Sequence, residues 1–278
     1  MTEAQVFSRQ WTPPVGVLGR IVAESSERVS AMSDAHRRAM ERAAESAVSR
    51  PLFVDAFGPD SVSVIAEVKR KSPSKGAIRE LMAADAQAHA FERGGAAAIS
   101  VLTEPQHFGG SLEDLESARD RVAIPLLRKD FHVDAIQLFE AKAYGASAVL
   151  LIARALAPAK LGELMSVADD LGLEPLVEVR TEAELMLALE LGARVVGINS
   201  RDLETLDVDA GVPERLLRLV PNGVIAVAES GVEVLGDVED RARWGADAVL
   251  VGSALSRSDD PEAAVRALTG VARVPRAR

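Results

Sequence analysis

Three short runs set ionisable residues at the ends of apolar, β-branched segments: Glu67-Val68-Lys69, Arg128-Lys129-Asp130 and Val177-Glu178-Val179. Alternate residues of an extended strand face the same way, so Glu67 and Lys69 share one side. An ammonium donates a proton near neutral pH without any shift of its pKa, and an ionised carboxylate accepts one. Lys69, Lys129 and Glu178 gathered at one cavity would supply two acids and a base. Singly, each charge reads as a solvated loop residue or half of an ion pair; at the ends of three strands they read as a site. Ser230-Gly231 and Gly252-Ser253 offer hydroxyls, backbone N–H groups and little bulk, which suits a phosphate. Alone, each pair is equally a tight turn. Ser72, in Ser72-Pro73-Ser74, could add a hydroxyl.

Such residues need a frame that brings distant strand ends together. Eight apolar runs supply it: Val64–Val68, Ala97–Val101, Ile124–Leu127, Ala148–Ile152, Pro175–Val179, Val195–Ile198, Val224–Ala228 and Ala248–Val251. They recur roughly every 26 residues, the length of a strand, a helix and two loops, and no interval has room for a second domain. Four returns into a strand nearly repeat, through Gly95, Gly145, Gly192 and Gly245, as expected where a helix ends in a left-handed glycine. The fold expected is α/β, a single (βα)8 TIM barrel over 61–268, with an open doubly wound sheet as the lesser possibility. No Gly-x-Gly-x-x-Gly follows the first strand, which counts against the open dinucleotide fold. Residues 1–60 form an N-terminal helical extension: Val17, Leu18, Ile21, Val22, Val29, Met32 and Met40 fall near helical spacing and should pack on the barrel. Residues 269–278 are expected to fray.

The 278 residues hold 32 Lys and Arg against 42 Asp and Glu, a net charge of −10, so no nucleic acid or anionic membrane is held by bulk charge. An anionic ligand must be held locally. With no cysteine there is no disulfide, thiolate nucleophile or iron–sulfur cluster, and the chain suits a reducing cytoplasm. No apolar run reaches membrane length and no export signal opens the chain, so a soluble, cytoplasmic protein is expected. Of the four histidines, His36 and His89 fall in helical stretches, and His107 and His132 on mouth-side loops. None has ligand spacing, so no metal is expected. The acidic residues between Leu112 and Asp120 read as a solvated helix face.

The run Val64-Ile65-Ala66-Glu67-Val68-Lys69-Arg70-Lys71-Ser72-Pro73-Ser74-Lys75-Gly76 closely resembles the signature of the indole-3-glycerol phosphate synthase family. Further matches follow in order: Ser100 to Glu104 with Phe108-Gly109-Gly110-Ser111, Leu127 to Phe131, Leu176 to Val179, Gly197 to Leu203, Ala228 to Gly231 and Val251 to Ser253. The likeness runs from about Pro51 to Leu255. It implies a barrel that converts 1-(2-carboxyphenylamino)-1-deoxyribulose 5-phosphate to indole-3-glycerol phosphate, CO2 and water without a cofactor. Carried over by position, Lys129 is the acid at the ribulose carbonyl. Lys69 pairs with the substrate carboxylate and is available as an acid for the dehydration. Glu178 is the base that restores aromaticity, Glu67 holds the lysines, and Asn199 and Arg201 position the anilino and hydroxyl groups. Ser72, Ser230, Gly231, Gly252 and Ser253 bind phosphate, while Phe108, Phe131 and Leu203 line the aryl pocket. The partner implied is a small phosphorylated substrate, with neither nucleic acid nor membrane; a monomer is favoured, though no residue pattern decides the oligomeric state.

Three positions depart from the family. A lysine frequent near Ser25 is absent, position 200 is Ser200 rather than asparagine, and Asp134-Ala135-Ile136-Gln137 replaces Asp-Pro-Tyr-Gln. None is a proposed catalytic group, so a paralogue with an altered aryl substrate stays open. Other readings are a phosphoribosylanthranilate isomerase, a Schiff-base aldolase using Lys69 or Lys129, and a noncatalytic sugar-phosphate binder.

Overall fold

In the computed structural model, which describes residues 11–72, 76–77 and 83–276, eight parallel strands close into a barrel. They are β1 (Ser63–Val68), β2 (Ala98–Leu102), β3 (Leu126–Lys129), β4 (Ala148–Ile152), β5 (Glu174–Val179), β6 (Val195–Asn199), β7 (Ile225–Glu229) and β8 (Ala248–Val251). Each strand pairs with its neighbour in sequence, and β8 closes on β1 with Ser63 opposite Ala248. The strands are mostly Val, Ile, Leu and Ala and nearly every residue in them is buried, because the barrel interior covers one face and the helices the other. The four repeated returns do use left-handed glycines, with φ between +85° at Gly192 and +98° at Gly245.

Strand limits move by a residue or two from the sequence expectation. At β3 the shift matters: the ladder starts after Pro125, which has no N–H to give, and runs on through Arg128 and Lys129. Lys129 is therefore a strand residue, opposite Leu102 of β2.

The extension holds two helices, α1 (Gly16–Ser30) and α2 (Asp34–Glu45). Leu18, Ile21, Ser25 and Val29 form the buried stripe of α1, as the spacing requires. In α2 only Ala44 is buried. It packs along α3 (Ala135–Ala143) through polar contacts instead, among them His36 Nε2 to Glu140 at 3.1 Å.

The expected fraying after 269 is not found in the described residues, which reach Arg276. Val62 N–H donates to Val271 O at 2.8 Å and Arg273 N–H to Asp60 O at 3.0 Å. Arg276 reaches the buried carboxylate of Asp247 at 2.9 Å, and Arg273 pairs with it too. Two of the tail's arginines are thus structural, which composition alone does not reveal.

The acidic helix α4 (Leu112–Arg121) is likewise not wholly a solvated face. Asp114 is buried and takes Arg70 Nη2 at 2.6 Å.

Candidate active site

The strands' C-terminal ends surround a cavity of about 340 Å³. Every candidate catalytic or substrate-binding residue lines it, apart from Ser72, whose side chain lies outside the described residues. Glu67 and Lys69 do share a face: Oε1 and Nζ are 2.5 Å apart. Lys129 sits between two carboxylates, 3.3 Å from Glu178 Oε2 and 3.0 Å from Glu229 Oε2. Burial works against the charge of Lys129, but Glu229, Glu178 and Glu67 outweigh it and raise its pKa above the usual lysine range. The ammonium is held charged and aimed.

Glu229 is the member that sequence reasoning missed. It was visible as the first residue of Glu229-Ser230-Gly231, but its role was not. A signal did exist in Gly197, inside the neighbouring strand: a Cβ there would run into Glu229 Oε1. A glycine within a buried strand often marks such a close approach. Burial pushes the Glu229 carboxyl up to about 8, with Lys129 pulling it down and Glu178 pushing further up. Its Oε1 has no partner among the described residues.

The wall beyond β6 and β7 is a short hydrogen-bonded chain. Asn199 Oδ1 accepts from Arg201 N–H and from Ser230 Oγ, each at 2.9 Å. Ser230 is held at φ +65° and Gly231 at φ +70°, a left-handed pair that breaks the strand at the cavity wall. For serine that conformation costs on the order of 1 kcal/mol. Ser200 Oγ steadies it by donating to Glu229 O at 3.1 Å and to Ser230 O at 3.2 Å. Arg201 Nη1 donates to Leu206 O at 2.7 Å, so the guanidinium braces its own loop as well as facing the cavity.

Gly252 has a further part to play. A Cβ there would strike Glu67 Oε1 and come within 3.1 Å of Lys69 Nζ, so the residue makes room for that ion pair as well as for any ligand beside Ser253.

Phe108 and Phe131 stand together on the apolar side, ring centroids 6.1 Å apart, with Leu203 also on that wall. Fully buried Glu104 gathers the N–H groups of Gln106, His107 and Phe108 at 2.6–3.0 Å and so shapes the Phe108 loop. Phe131 O accepts from Ser25 Oγ at 2.7 Å and from Gln137 Nε2 at 3.2 Å. Two of the three departures from the family, Ser25 and Ser200, thus touch backbone atoms of cavity residues.

The mouth-side histidines do other work. His107 pairs with Glu24 of α1 at 2.6 Å. His132 is buried, and its Nδ1–H donates to Leu150 O at 2.7 Å. Burial first, and then the Arg128 charge, push its pKa down to about 4, so it is neutral near pH 7. Asp130 beside it stays ionised, because the Arg128 and Arg28 charges and the Thr103 hydroxyl, 2.7 Å away, outweigh its burial and lower its pKa.

A family model described as indole-3-glycerol phosphate synthase matches residues 18–268. The chain belongs to the indole-3-glycerol phosphate synthase family. Indole-3-glycerol phosphate synthase 1 of Streptomyces coelicolor is 47% identical over 257 residues, 92% of this chain and 93% of that one. The Leifsonia xyli synthase is 46% identical over 266 residues, 93% of this chain and all of that one. Solved barrels of other activities share the fold alone. The 3-hexulose-6-phosphate synthase of Salmonella typhimurium has a TM-score of 0.59 at 16% identity, covering 74% of this chain and 96% of its own. Thiamine phosphate pyrophosphorylase of Pyrococcus furiosus has a TM-score of 0.57 at 17% identity, covering 74% and 93%. The indole-3-glycerol phosphate synthase signature thus sits on a barrel shared with very different sequences.

Proposed function

We propose that the mouth of this barrel closes the indole ring through Lys129, with Glu178 as base and Glu67, Lys69 and Glu229 setting the charges around them. The chain is a lyase of tryptophan biosynthesis that forms indole-3-glycerol phosphate with loss of CO2 and water. The observation that carries the assignment of roles is the ammonium of Lys129 held between Glu178 and Glu229 inside a cavity with one apolar side and one side of serine and glycine. The aryl ring of the carboxyphenylamino ribulose phosphate would lie against Phe108, Phe131 and Leu203, its carboxylate against Lys69, and its phosphate against Ser230, Gly231, Gly252 and Ser253, with Ser72 a further phosphate contact. Tethering both ends folds the flexible chain so that the aryl carbon faces the ribulose carbonyl. As that carbon attacks, Lys129 gives its proton to the carbonyl oxygen, and the charge that would build up there meets a preplaced ammonium. Loss of CO2 follows. Glu178 takes the proton released as the ring becomes aromatic, and Lys69 is the second acid for the departing hydroxyl. Asn199 and Arg201 orient the anilino and hydroxyl groups. No cofactor enters this scheme.

The same reading makes 61–268 the catalytic barrel, 1–60 an extension packed on it and 269–278 a tail. It takes the enzyme as a monomer in the cytoplasm that binds no nucleic acid; among the described residues no helix is long and apolar enough to cross a membrane. Mixing the protein with the carboxyphenylamino ribulose phosphate should give indole fluorescence together with one CO2 per turnover. Fluorescence that survives Lys129→Ala at full rate would overturn the assignment.

A further inference from the structure

Besides Phe108 and Phe131, two pieces of chain far apart in sequence give the cavity apolar lining. The start of α1 contributes Val17 and Ile21, and the loop after β6 contributes Leu203 and Leu206. Neither piece is part of the barrel sheet, so strand register does not set the gap between them. Glu204 spans it. Its Oε1 accepts from Val15 N–H at 2.8 Å and takes Arg154 Nη2 at 2.7 Å. Its backbone oxygen accepts from Val17 N–H at 3.0 Å. Arg154, in the loop after β4, also sends Nη1 to Thr12 O at 2.7 Å. Gly16 lies between these bonds at φ +62°, and a Cβ on it would run into Glu204 O, so the two backbones touch. The loop side is braced too, with Leu206 at φ +71° and its carbonyl bonded to Arg201.

We propose that Glu204 is a positioning residue that determines ring specificity: its clasp with Arg154 and residues 12–17 sets the width of the apolar end and so which ring substituents the cavity accepts. The inference rests on the placing of the aryl ring at that end. An apolar wall rejects an extra methyl group only as far as it resists moving, since one methylene in a firm pocket is worth roughly 10- to 200-fold in kcat/KM. The hydrogen bonds of Glu204 go to Val15, Val17, Asp202 and Arg154, and none of them reaches a side chain that lines the cavity. Glu204 acts through the chain on either side, through Leu203 next to it and Val17 opposite.

The test compares kcat/KM for the unsubstituted substrate with that for an analogue carrying a methyl group on the aryl ring. In Glu204→Ala the analogue should gain on the parent compound by roughly tenfold, and amide exchange over residues 12–17 should quicken in the free protein. Glu204→Gln keeps an acceptor for Val15 N–H and should fall between Glu204→Ala and the unaltered enzyme. Leu203→Ala, which widens the wall directly, should move the ratio in the same direction. If Leu203→Ala moves the ratio and Glu204→Ala does not, the clasp has no part in specificity and the aryl assignment stands. If neither moves it, the ring lies elsewhere and both readings fall. Should Glu204→Ala not fold, Arg154→Met removes the ion pair and leaves the backbone bond, and an unchanged ratio there overturns the proposal.

Discussion

The two ends of the barrel each hold a buried ion cluster, built from similar parts to opposite effect. At the N-terminal end Asp247 has cations on both oxygens: one takes Arg273, the other takes Arg276 at 2.9 Å and the Ala226 N–H at 2.7 Å. At the mouth three carboxylates, Glu67, Glu178 and Glu229, share two ammonium groups, and one oxygen of Glu229 has no partner among the described residues. A buried carboxylate whose two oxygens are both bonded to cations fixes a conformation; buried carboxylates that outnumber the cations beside them favour shifted pKa values and protons to move. The difference separates a cluster that holds the chain from one that acts on a substrate.

The sharpest way to break the comparison is at Lys129. Lys129→Ala should lower kcat by ~10²- to 10⁴-fold, the usual loss for a positioned acid, in a protein whose circular dichroism at the assay temperature is still that of the folded barrel. Lys129→Arg should fail as well, because a planar guanidinium presents its protons in a fixed fork and does not reproduce a point donor between Glu178 and Glu229. Near-normal kcat in either variant would remove the acid from Lys129. Glu178→Gln should follow, with kcat down by about a hundredfold or more and KM changed far less, since only the proton acceptor is lost. Rapid quench should then trap an intermediate formed after carbonyl attack. A normal kcat with a greatly raised KM would make Glu178 a binding residue.

At the other end the expected loss is in stability. Asp247→Ala leaves Arg276 buried without its carboxylate and should cost ~3–5 kcal/mol in urea unfolding, the range for breaking a buried pair. Its kcat at a temperature where the variant is folded should be unchanged. Lost turnover with an unshifted midpoint would mean that the tail reports to the mouth, and the two clusters would no longer be separable.

The third contrast is in pH. Glu229 is raised to about 8 in the folded state by burial, against an ordinary value near 4.5, so between these values the native protein holds a proton that the unfolded chain has released. Its contribution to stability is complete below about pH 4.5 and is lost as the pH climbs through 8. Glu229→Gln cannot titrate. The Tm of the unaltered protein should therefore fall relative to that of Glu229→Gln between pH 5 and about pH 8, and parallel Tm curves would mean that Glu229 is ionised throughout.

How much of this was open to the sequence differs between the two ends for the same reason. The barrel was legible because eight β-branched runs and four glycine returns repeat a local pattern, and the mouth was legible because strand alternation aims Glu67 and Lys69 without any knowledge of neighbours. Lys129 and Glu178 followed from their places at strand ends. Glu229 was less so: its importance depends on Gly197 across the ladder and on Lys129 four strands away. The Asp247 cluster joins residues 26 and 29 positions apart through a tail with no periodicity, and pattern reading assigned that tail to fraying. The polar packing of α2 and the burial of Asp114 were hidden similarly, each resting on a distant partner, Glu140 and Arg70.

The smallest expected effect lies at the phosphate side, and it separates two glycine and serine positions that look alike in sequence. Ser253→Ala removes one hydroxyl at the start of a short helix beside Gly252, Ser253–Arg257, where barrels of this kind commonly hold phosphate. A lost hydrogen bond to a charged ligand costs ~1.5 kcal/mol or somewhat more, about tenfold in affinity. Inorganic phosphate as a competitive inhibitor and the substrate's KM should weaken together by that factor, with kcat unchanged. Gly252→Ala should behave differently, because its Cβ meets Glu67 and comes close to Lys69. Displacing that pair should lower kcat as well as weaken phosphate. If Gly252→Ala changed only phosphate inhibition, the cavity would have slack around Glu67 and Lys69, and the crowding that sets the mouth apart from the Asp247 cluster would have to be sought around Glu229 and Gly197 alone.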